Sequence, residues 1–214
     1  MLEPKIPVAE EGYPFILYAV FLTIVCALLG YPTLTILLLG ATTFILMFFR
    51  DPERIIPEGD DTVLSPADGK VIVSELVKDV RFSENDLLKV SIFMNVFNVH
   101  VNRNPVSALV RKVSYIPGTF LAADKEQAHL KNEYCAITVT DARNREITFV
   151  QIAGLIARRI VCRLEPGDTI TRGRRFGLIR FGSRVDVYLP GDSQLAVSPG
   201  EKVKAGETIL ARLS

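Results

Sequence analysis

The longest uninterrupted apolar pattern lies near the start of the chain. No Asp, Glu, Lys or Arg occurs between Glu11 and Arg50, a run of about 38 positions that would measure about 57 Å as helix. Two apolar stretches, at 15–29 (FILYAVFLTIVCALL) and 33–49 (TLTILLLGATTFILMFF), are separated by Gly-Tyr-Pro at 30–32, which breaks helices. The pattern predicts a helical hairpin.

The length of the hairpin allows two placements in a membrane. As helix, each arm is about 23 to 25 Å long, which is short for a hydrocarbon core of about 30 Å, so the hairpin either spans a membrane or enters it and returns.

The leader at 1–11 carries three glutamates and lacks the basic start of a signal peptide, so we expect the hairpin to be retained. Arg50 and Arg54 follow the second arm, and the positive-inside tendency places the rest of the chain in the cytoplasm. The alternative is a buried helical pair in a soluble core.

From residue 62 onward, short β-type runs replace the long apolar stretches. Four of them are KVIV at 70–73, LKVSIF at 88–93, AITV at 136–139 and ITFV at 147–150. The sequence therefore predicts a membrane anchor at 1–55 and a mainly β domain at 56–214, so the whole chain is α+β. One polar stretch at 122–132 (AADKEQAHLKN) favours a helix or an ordered loop, and His129 within it is expected at the surface.

Two octets near the C-terminus are related to each other. They are PGDTITRG at 166–173 and PGEKVKAG at 199–206, and each reads as a turn, a short strand and a second turn followed by an apolar run. This duplication resembles the half-motifs of biotinyl and lipoyl barrel-sandwich domains. Lys202 and Lys204 lie inside the second octet rather than at a hairpin tip, so no attached carrier group is expected.

Composition excludes several classes of function. A formal net charge of +1 offers no large field for nucleic acid, so a polynucleotide partner is not expected. The three cysteines, Cys26, Cys135 and Cys162, lack CxxC spacing, which argues against a disulfide framework and a zinc site. The two histidines form no HxH or HExxH motif, so no metal is expected either.

The segment RFGSRVDVYLP at 180–190 carries the most specific motif of the chain. Together with SPADG at 65–69, FNVHVNR at 97–103, YIPG at 115–118, Asn-Glu at 132–133 and ARRI at 157–160, it resembles the phosphatidylserine decarboxylase family, in its short bacterial and archaeal-like branch. The motifs occur in family order from about residue 61 to the C-terminus. Longer relatives have Leu-Gly-Ser-Thr where this chain has Phe-Gly-Ser-Arg, and the Gly-Ser pair is intact.

The resemblance implies an enzyme that makes its own cofactor. The chain would break between Gly182 and Ser183 into a β chain (1–182) and an α chain (183–214), which stay together as a heterodimer or a higher oligomer. Ser183 would become a pyruvoyl group, which forms a Schiff base with the serine amine of phosphatidylserine and yields phosphatidylethanolamine after loss of CO2. The implied location is the cell inner membrane, in contact with membrane lipids, with the catalytic domain on the cytoplasmic face.

Gly-Ser suits such a cut on physical grounds. Gly182 lacks a Cβ and tolerates strain and close approach, while Ser183 supplies a hydroxyl that needs a base and a group that orients the base. His100 and Asp68 are the candidates, and the resemblance implies an Asp68-His100-Ser183 triad. Without the resemblance, Asp68 would read as a turn residue and His100 as a packed core residue.

One feature of FNVHVNR departs from the longer relatives. They have two closely spaced histidines, whereas this chain has only His100, with Asn102 and Arg103 near the second position. Either His100 serves both in the cut and in the later proton transfer, or another group takes one of these roles.

Arginines are concentrated in the C-terminal part, and two uses for them remain open. Some could bind a lipid phosphate or an anionic leaflet, or they could simply face water from alternating strand positions. They are Arg158, Arg159, Arg163, Arg172, Arg174, Arg175, Arg180 and Arg184.

Two other functions are compatible with the same motifs and the same anchor. One is a membrane-tethered lipoyl-like adaptor without enzymatic activity, which would remain an intact chain. The other is a decarboxylase of a different serine lipid, such as archaetidylserine.

Overall fold

A computed structural model of the chain describes residues 7–121, 131–155, 159–180 and 183–214. The chain divides into two compact units, Met1–Glu53 and Arg54–Ser214. Most of the polar stretch at 122–132, including His129, lies outside the described residues, as do Arg158 and Gly182.

The N-terminal unit is a pair of apolar helices. A 3-10 turn at Glu10–Gly12 leads into α1 (Tyr13–Leu28), which is followed by α2 (Pro32–Phe48). Proline is accepted in the first turn of a helix because the missing N–H group would have no partner there, so the predicted break becomes the start of α2. The helix pair predicted from the sequence is confirmed. The segment Glu10–Leu28 is long and apolar enough to cross a membrane, whereas α2 is shorter.

The second unit is mainly β, as predicted. Its strands are β1 (Thr62–Leu64), β2 (Gly69–Val77), β3 (Leu87–Met94), β4 (Val101–Arg103), β5 (Ala108–Ile116), β6 (Tyr134–Thr140), β7 (Glu146–Ala153), β8 (Ile160–Cys162), β9 (Thr169–Ile170), β10 (Arg175–Ile179), β11 (Ser183–Pro190), β12 (Gln194–Leu195), β13 (Lys202–Val203) and β14 (Ile209–Arg212). The four β-type runs identified in the sequence lie in β2, β3, β6 and β7.

Eight strands form one antiparallel sheet that curls into a half-barrel. Its order is β13-β2-β3-β11-β7-β6-β5-β9, and two three-stranded sheets, β1-β14-β12 and β4-β10-β8, accompany it. Strand β11 is therefore interior, hydrogen-bonded to β3 on one side and β7 on the other. Its side chains Val185, Val187 and Leu189 belong to the main hydrophobic core.

The two related octets have the same backbone conformation. The first turn glycines, Gly167 and Gly200, have φ values of 99° and 98°, and the second, Gly173 and Gly206, have 75° and 74°. Residues with an L side chain rarely adopt such φ values, which explains why each of the two turns in each octet contains a glycine. The octets supply β9 and β13, the two edges of the eight-stranded sheet.

Each octet also makes an equivalent hydrogen bond to the segment that precedes its partner strand. The Arg172 N–H group donates to Ser107 Oγ at 3.0 Å before β5, and the Ala205 N–H group donates to Asp68 Oδ1 at 2.8 Å before β2. Asp68 and Ser107 thus hold corresponding turns in two halves of the unit, although one side chain is charged and the other is neutral.

Candidate functional site

Ser183 is fully buried at the first position of β11. It is paired with Met94 of β3 and with Ala153 of β7. Its hydroxyl donates to Met94 Sδ at 3.3 Å, and a thioether sulfur is a weak acceptor. The structure therefore fixes the backbone of Ser183 firmly and its hydroxyl only weakly.

A buried polar chain connects Ser183 with two of the sequence motifs. The Asn102 amide lies 4.0 Å from Met94 Sδ and 3.4 Å from the Pro66 carbonyl oxygen. Gln151 on β7 donates from Nε2 to Asn102 Oδ1 at 2.8 Å. SPADG and FNVHVNR therefore meet beside Ser183. Among the described residues, the side chain that links the two motifs to the surroundings of Ser183 is that of Asn102 rather than that of His100.

His100 is also fully buried and lies just before β4. Its Nδ1 is 2.9 Å from the Asn98 carbonyl oxygen. A carbonyl can only accept, so Nδ1 carries the proton and Nε2 is the basic nitrogen of the neutral ring. The His100 carbonyl accepts from the Ile179 N–H group at 3.5 Å, so His100 lies beside the end of β10. Ile179 is the last residue of β10 and precedes Ser183 by four residues along the chain.

Asp68 is held by an arginine that the sequence had indicated only as a charge after the hairpin. Arg54 Nη2 lies 3.0 Å from Asp68 Oδ1 and 2.9 Å from Oδ2, and the two side chains are only 8% and 13% exposed. Arg54 also approaches Glu207 at 3.7 Å. Among the described residues, the structure thus joins Asp68 to Arg54 and to the Ala205 N–H group, and not to His100. The orienting contact on His100 Nδ1 comes from Asn98.

A second polar group lies on the opposite face of β11. Lys89, Ser91, Arg184 and Asp186 are all buried, and we call them the buried charge cluster. Arg184 donates from Nε to Asp186 Oδ1 at 2.5 Å and from Nη2 to Ser91 Oγ at 2.8 Å, and Lys89 Nζ lies 3.4 Å from Asp186 Oδ2. Burial lowers the pKa of Lys89, although Asp186 opposes the shift. The sequence signal that could have indicated this cluster is the presence of two charged residues, Lys89 and Asp186, within otherwise apolar strands.

Arg184 and Arg172 are C-terminal arginines whose side-chain partners the structure describes. Arg184 is only 2% exposed, so it neither faces water nor lies open to a lipid head group. Arg172 donates to the Pro57 carbonyl oxygen at 2.7 Å and to that of Gly59, and so ties the first octet to the segment before β1.

Two of the three free cysteines affect each other's pKa. Cys135 lies on β6 and Cys162 on β8, and both pack against the main core. The interaction with Cys135 lowers the pKa of Cys162 below that of an ordinary cysteine. The interaction with Cys162, together with burial, raises the pKa of Cys135.

Comparisons with known proteins identify the family to which the chain is similar. The family model described as phosphatidylserine decarboxylase matches residues 41–211. The chain is 57% identical to the phosphatidylserine decarboxylase proenzyme of Desulfotalea psychrophila and 49% identical to that of Geotalea uraniireducens, over the full length of both chains in each case. It is 50% identical to the proenzyme of Nitratidesulfovibrio vulgaris, over all of this chain and 98% of the relative.

Proposed function

This chain belongs to the phosphatidylserine decarboxylase family and is a decarboxylase, and we propose that it generates its own pyruvoyl group at Ser183 and converts phosphatidylserine to phosphatidylethanolamine at a membrane. The relatives are named proenzymes, which supports processing of the chain. The observation that carries the proposal is the position of Ser183, which is buried at the start of an interior strand and directly follows Gly182 in the sequence.

The proposed cut is an intramolecular displacement followed by an elimination. Ser183 Oγ attacks the carbonyl carbon of Gly182, and the peptide C–N bond breaks as an ester C–O bond forms. Removal of the Ser183 Cα proton expels the Gly182 carboxylate and leaves a double bond between Cα and Cβ of residue 183. Protonation at Cβ and addition of water at Cα then release ammonia and leave a carbonyl at that carbon.

The residues around position 183 fit a pyruvoyl group. The strand that Ser183 begins is hydrogen-bonded on both sides, so the new end of the α chain has partners in the sheet after the cut. The serine hydroxyl donates to a thioether, so no strong hydrogen bond is lost when its oxygen leaves with Gly182. When present, the group supplies a carbonyl that takes the serine amine of the lipid and accepts electrons as CO2 departs.

His100 is the proposed base for the Ser183 hydroxyl and the proposed source of the proton that replaces CO2. Its Nδ1 donates to the Asn98 carbonyl, which leaves Nε2 as the nitrogen that exchanges protons. Asp68 is proposed to assist His100 during the cut, as the sequence motif indicates. For this role the Asp68 carboxylate has to leave Arg54, so we propose that the ion pair opens before the cut.

The apolar helices support action at a membrane. Their surfaces expose many large apolar side chains, and the substrate named by the family is a two-chain lipid that is barely soluble. We propose that the helices anchor the enzyme in the cell inner membrane and that the catalytic domain lies on the cytoplasmic face, with the α and β chains forming a heterodimer. The matching octets also support the proposed relation to biotinyl and lipoyl folds.

Denaturing gels of the full chain test the proposal. Wild-type protein should separate into a large fragment and an α fragment of about 32 residues, and the Ser183→Ala and His100→Ala chains should stay intact. Decarboxylation of phosphatidylserine should be compared with that of archaetidylserine in matched vesicles, with preference for phosphatidylserine as the expected result. A wild-type chain that stays intact and still decarboxylates lipid would contradict self-processing.

A further inference from the structure

The buried charge cluster lies on the face of β11 opposite to Ser183, and the proposed reaction does not use it. Side chains alternate along a strand, so Arg184 and Asp186 point away from the face that carries Ser183. Arg184 directly follows Ser183, which makes it the first side chain of the α chain after the cofactor.

Arg184 makes one contact along its own strand and a second one to the neighbouring strand β3. Its Nε donates along its own strand to Asp186, and its Nη2 donates across to Ser91 of β3. Ser91 is the residue that pairs with Asp186 in the ladder, so both hydrogen bonds reach the same rung. The planar guanidinium presents several donors in fixed directions, which suits such a double contact.

The cut changes what holds residue 183. In the intact chain, its peptide bond to Gly182 and the ladder hold it. After the cut, the ladder and the side chains remain, and free chain ends open locally more readily than chain interiors. Displacement of this end by even 1 Å would misplace the reactive carbonyl.

We propose that Arg184 is a positioning residue that holds the cofactor-bearing end of the α chain in the sheet after the cut. This inference rests on the proposed function, because it requires the break between Gly182 and Ser183. A residue with a general structural role would matter equally before and after the cut. The hydrogen bonds of Arg184, by contrast, matter most once the peptide bond between Gly182 and Ser183 is gone.

The charges of the cluster determine which substitution tests the proposal. It contains two cations, Lys89 and Arg184, and one anion, Asp186. Removing Arg184 leaves Lys89 and Asp186 as a balanced pair at 3.4 Å, whereas removing Asp186 would leave two buried cations together. Arg184→Met is therefore the suitable variant, and Arg184→Lys restores the charge without the double contact.

Hydrogen–deuterium exchange of the full-length protein provides the measurement. Arg184→Met is compared with its parent in two backgrounds, the self-processed chain and the uncut Ser183→Ala chain. We expect the protection of the first amides of β11 to fall by about 10- to 100-fold in the processed chain, and by less than about threefold in the uncut chain. Arg184→Lys should recover part of the protection.

Two further variants make the comparison specific. Arg145→Met removes an arginine of the β6–β7 turn that bridges the carboxylates of Asp141 and Asp61, and it should leave the protection of β11 unchanged in both backgrounds. If Arg184→Met does not fold, Ser91→Ala removes one of the two hydrogen bonds and should give a smaller loss, again only in the processed chain.

The possible outcomes separate this proposal from the one on which it rests. An equal loss of protection in both backgrounds, or no loss in either, would overturn the role of Arg184 while leaving self-processing intact. A wild-type chain that is never cut would overturn both proposals.

Discussion

Replacing Asp68 by serine removes the carboxylate but keeps an acceptor for the Ala205 N–H group. The equivalent position in the other half of the unit is Ser107, which accepts the corresponding N–H of Arg172 at 3.0 Å. Asp68→Ser should therefore preserve the turn. Arg54→Met is the matched partner, because it breaks the same ion pair and leaves the Asp68 carboxylate in place.

The stability cost of the two variants should be similar. Breaking a buried ion pair from one side costs about 3 to 5 kcal/mol. The pair here is slightly exposed, at 8% and 13%, and after Asp68→Ser the arginine keeps Glu207 at 3.7 Å, so we expect about 2 to 3 kcal/mol for each variant. At about 2 to 4 °C per kcal/mol, the midpoint of thermal unfolding should fall by about 5 to 10 °C in both.

The rate of self-processing should separate them. If Asp68 assists His100, Asp68→Ser should slow the cut by about 10³- to 10⁴-fold, as loss of an orienting carboxylate does in catalytic triads, and Arg54→Met should stay within about tenfold of wild type. A time course of the fragments on gels after synthesis in the presence of detergent gives both rates. Equal slowing by the two variants would show that Asp68 acts through the fold, and the Asn98 carbonyl would then remain the orienting partner of His100.

Three further predictions concern single side chains. Met94→Leu keeps the volume but removes the acceptor of the Ser183 hydroxyl, so the rate of the cut on gels should change by less than about tenfold, as expected for a weak hydrogen bond; a complete block would show that the sulfur is essential. Asp186→Asn leaves Lys89 and Arg184 without their carboxylate and should destabilise the fold by about 3 to 5 kcal/mol in thermal unfolding, and an unchanged midpoint would contradict the ion pairing. Alkylation of Cys162 should rise with pH around a midpoint below that of an ordinary thiol, because Cys135 lowers the pKa of Cys162 and only the thiolate reacts; a midpoint at the ordinary thiol value would contradict the interaction between the two cysteines.

Local patterns in the sequence predicted part of the elements. The charge-free run predicted the helix pair, the short β-type runs predicted β2, β3, β6 and β7, and the repeated Pro-Gly and final Gly of the octets predicted two turns whose φ values match within about one degree. The family resemblance and the enzyme class are confirmed by the comparisons. These features depend on residues close together along the chain, and the sequence displays such residues directly.

Contacts between distant residues could not be predicted in the same way. Arg54 was interpreted only as a charge near the membrane, and its pairing with Asp68 depends on how the segment before β1 packs. The burial of Arg184 follows from the position of β11 between β3 and β7, two strands that are far from it in sequence. The sequence left open whether Arg184 binds a lipid head group or faces water, and it could not show that the face of β11 that carries Arg184 is covered.

The identity of the group at the start of the α fragment tests the central claim most directly. Mass spectrometry of the fragment from freshly purified wild-type protein should show a terminus lighter than serine by one ammonia, and treatment with a hydrazine should add to the carbonyl at residue 183. A fragment that begins with an ordinary serine amine, or a chain that is not cut, would contradict the formation of a pyruvoyl group from Ser183.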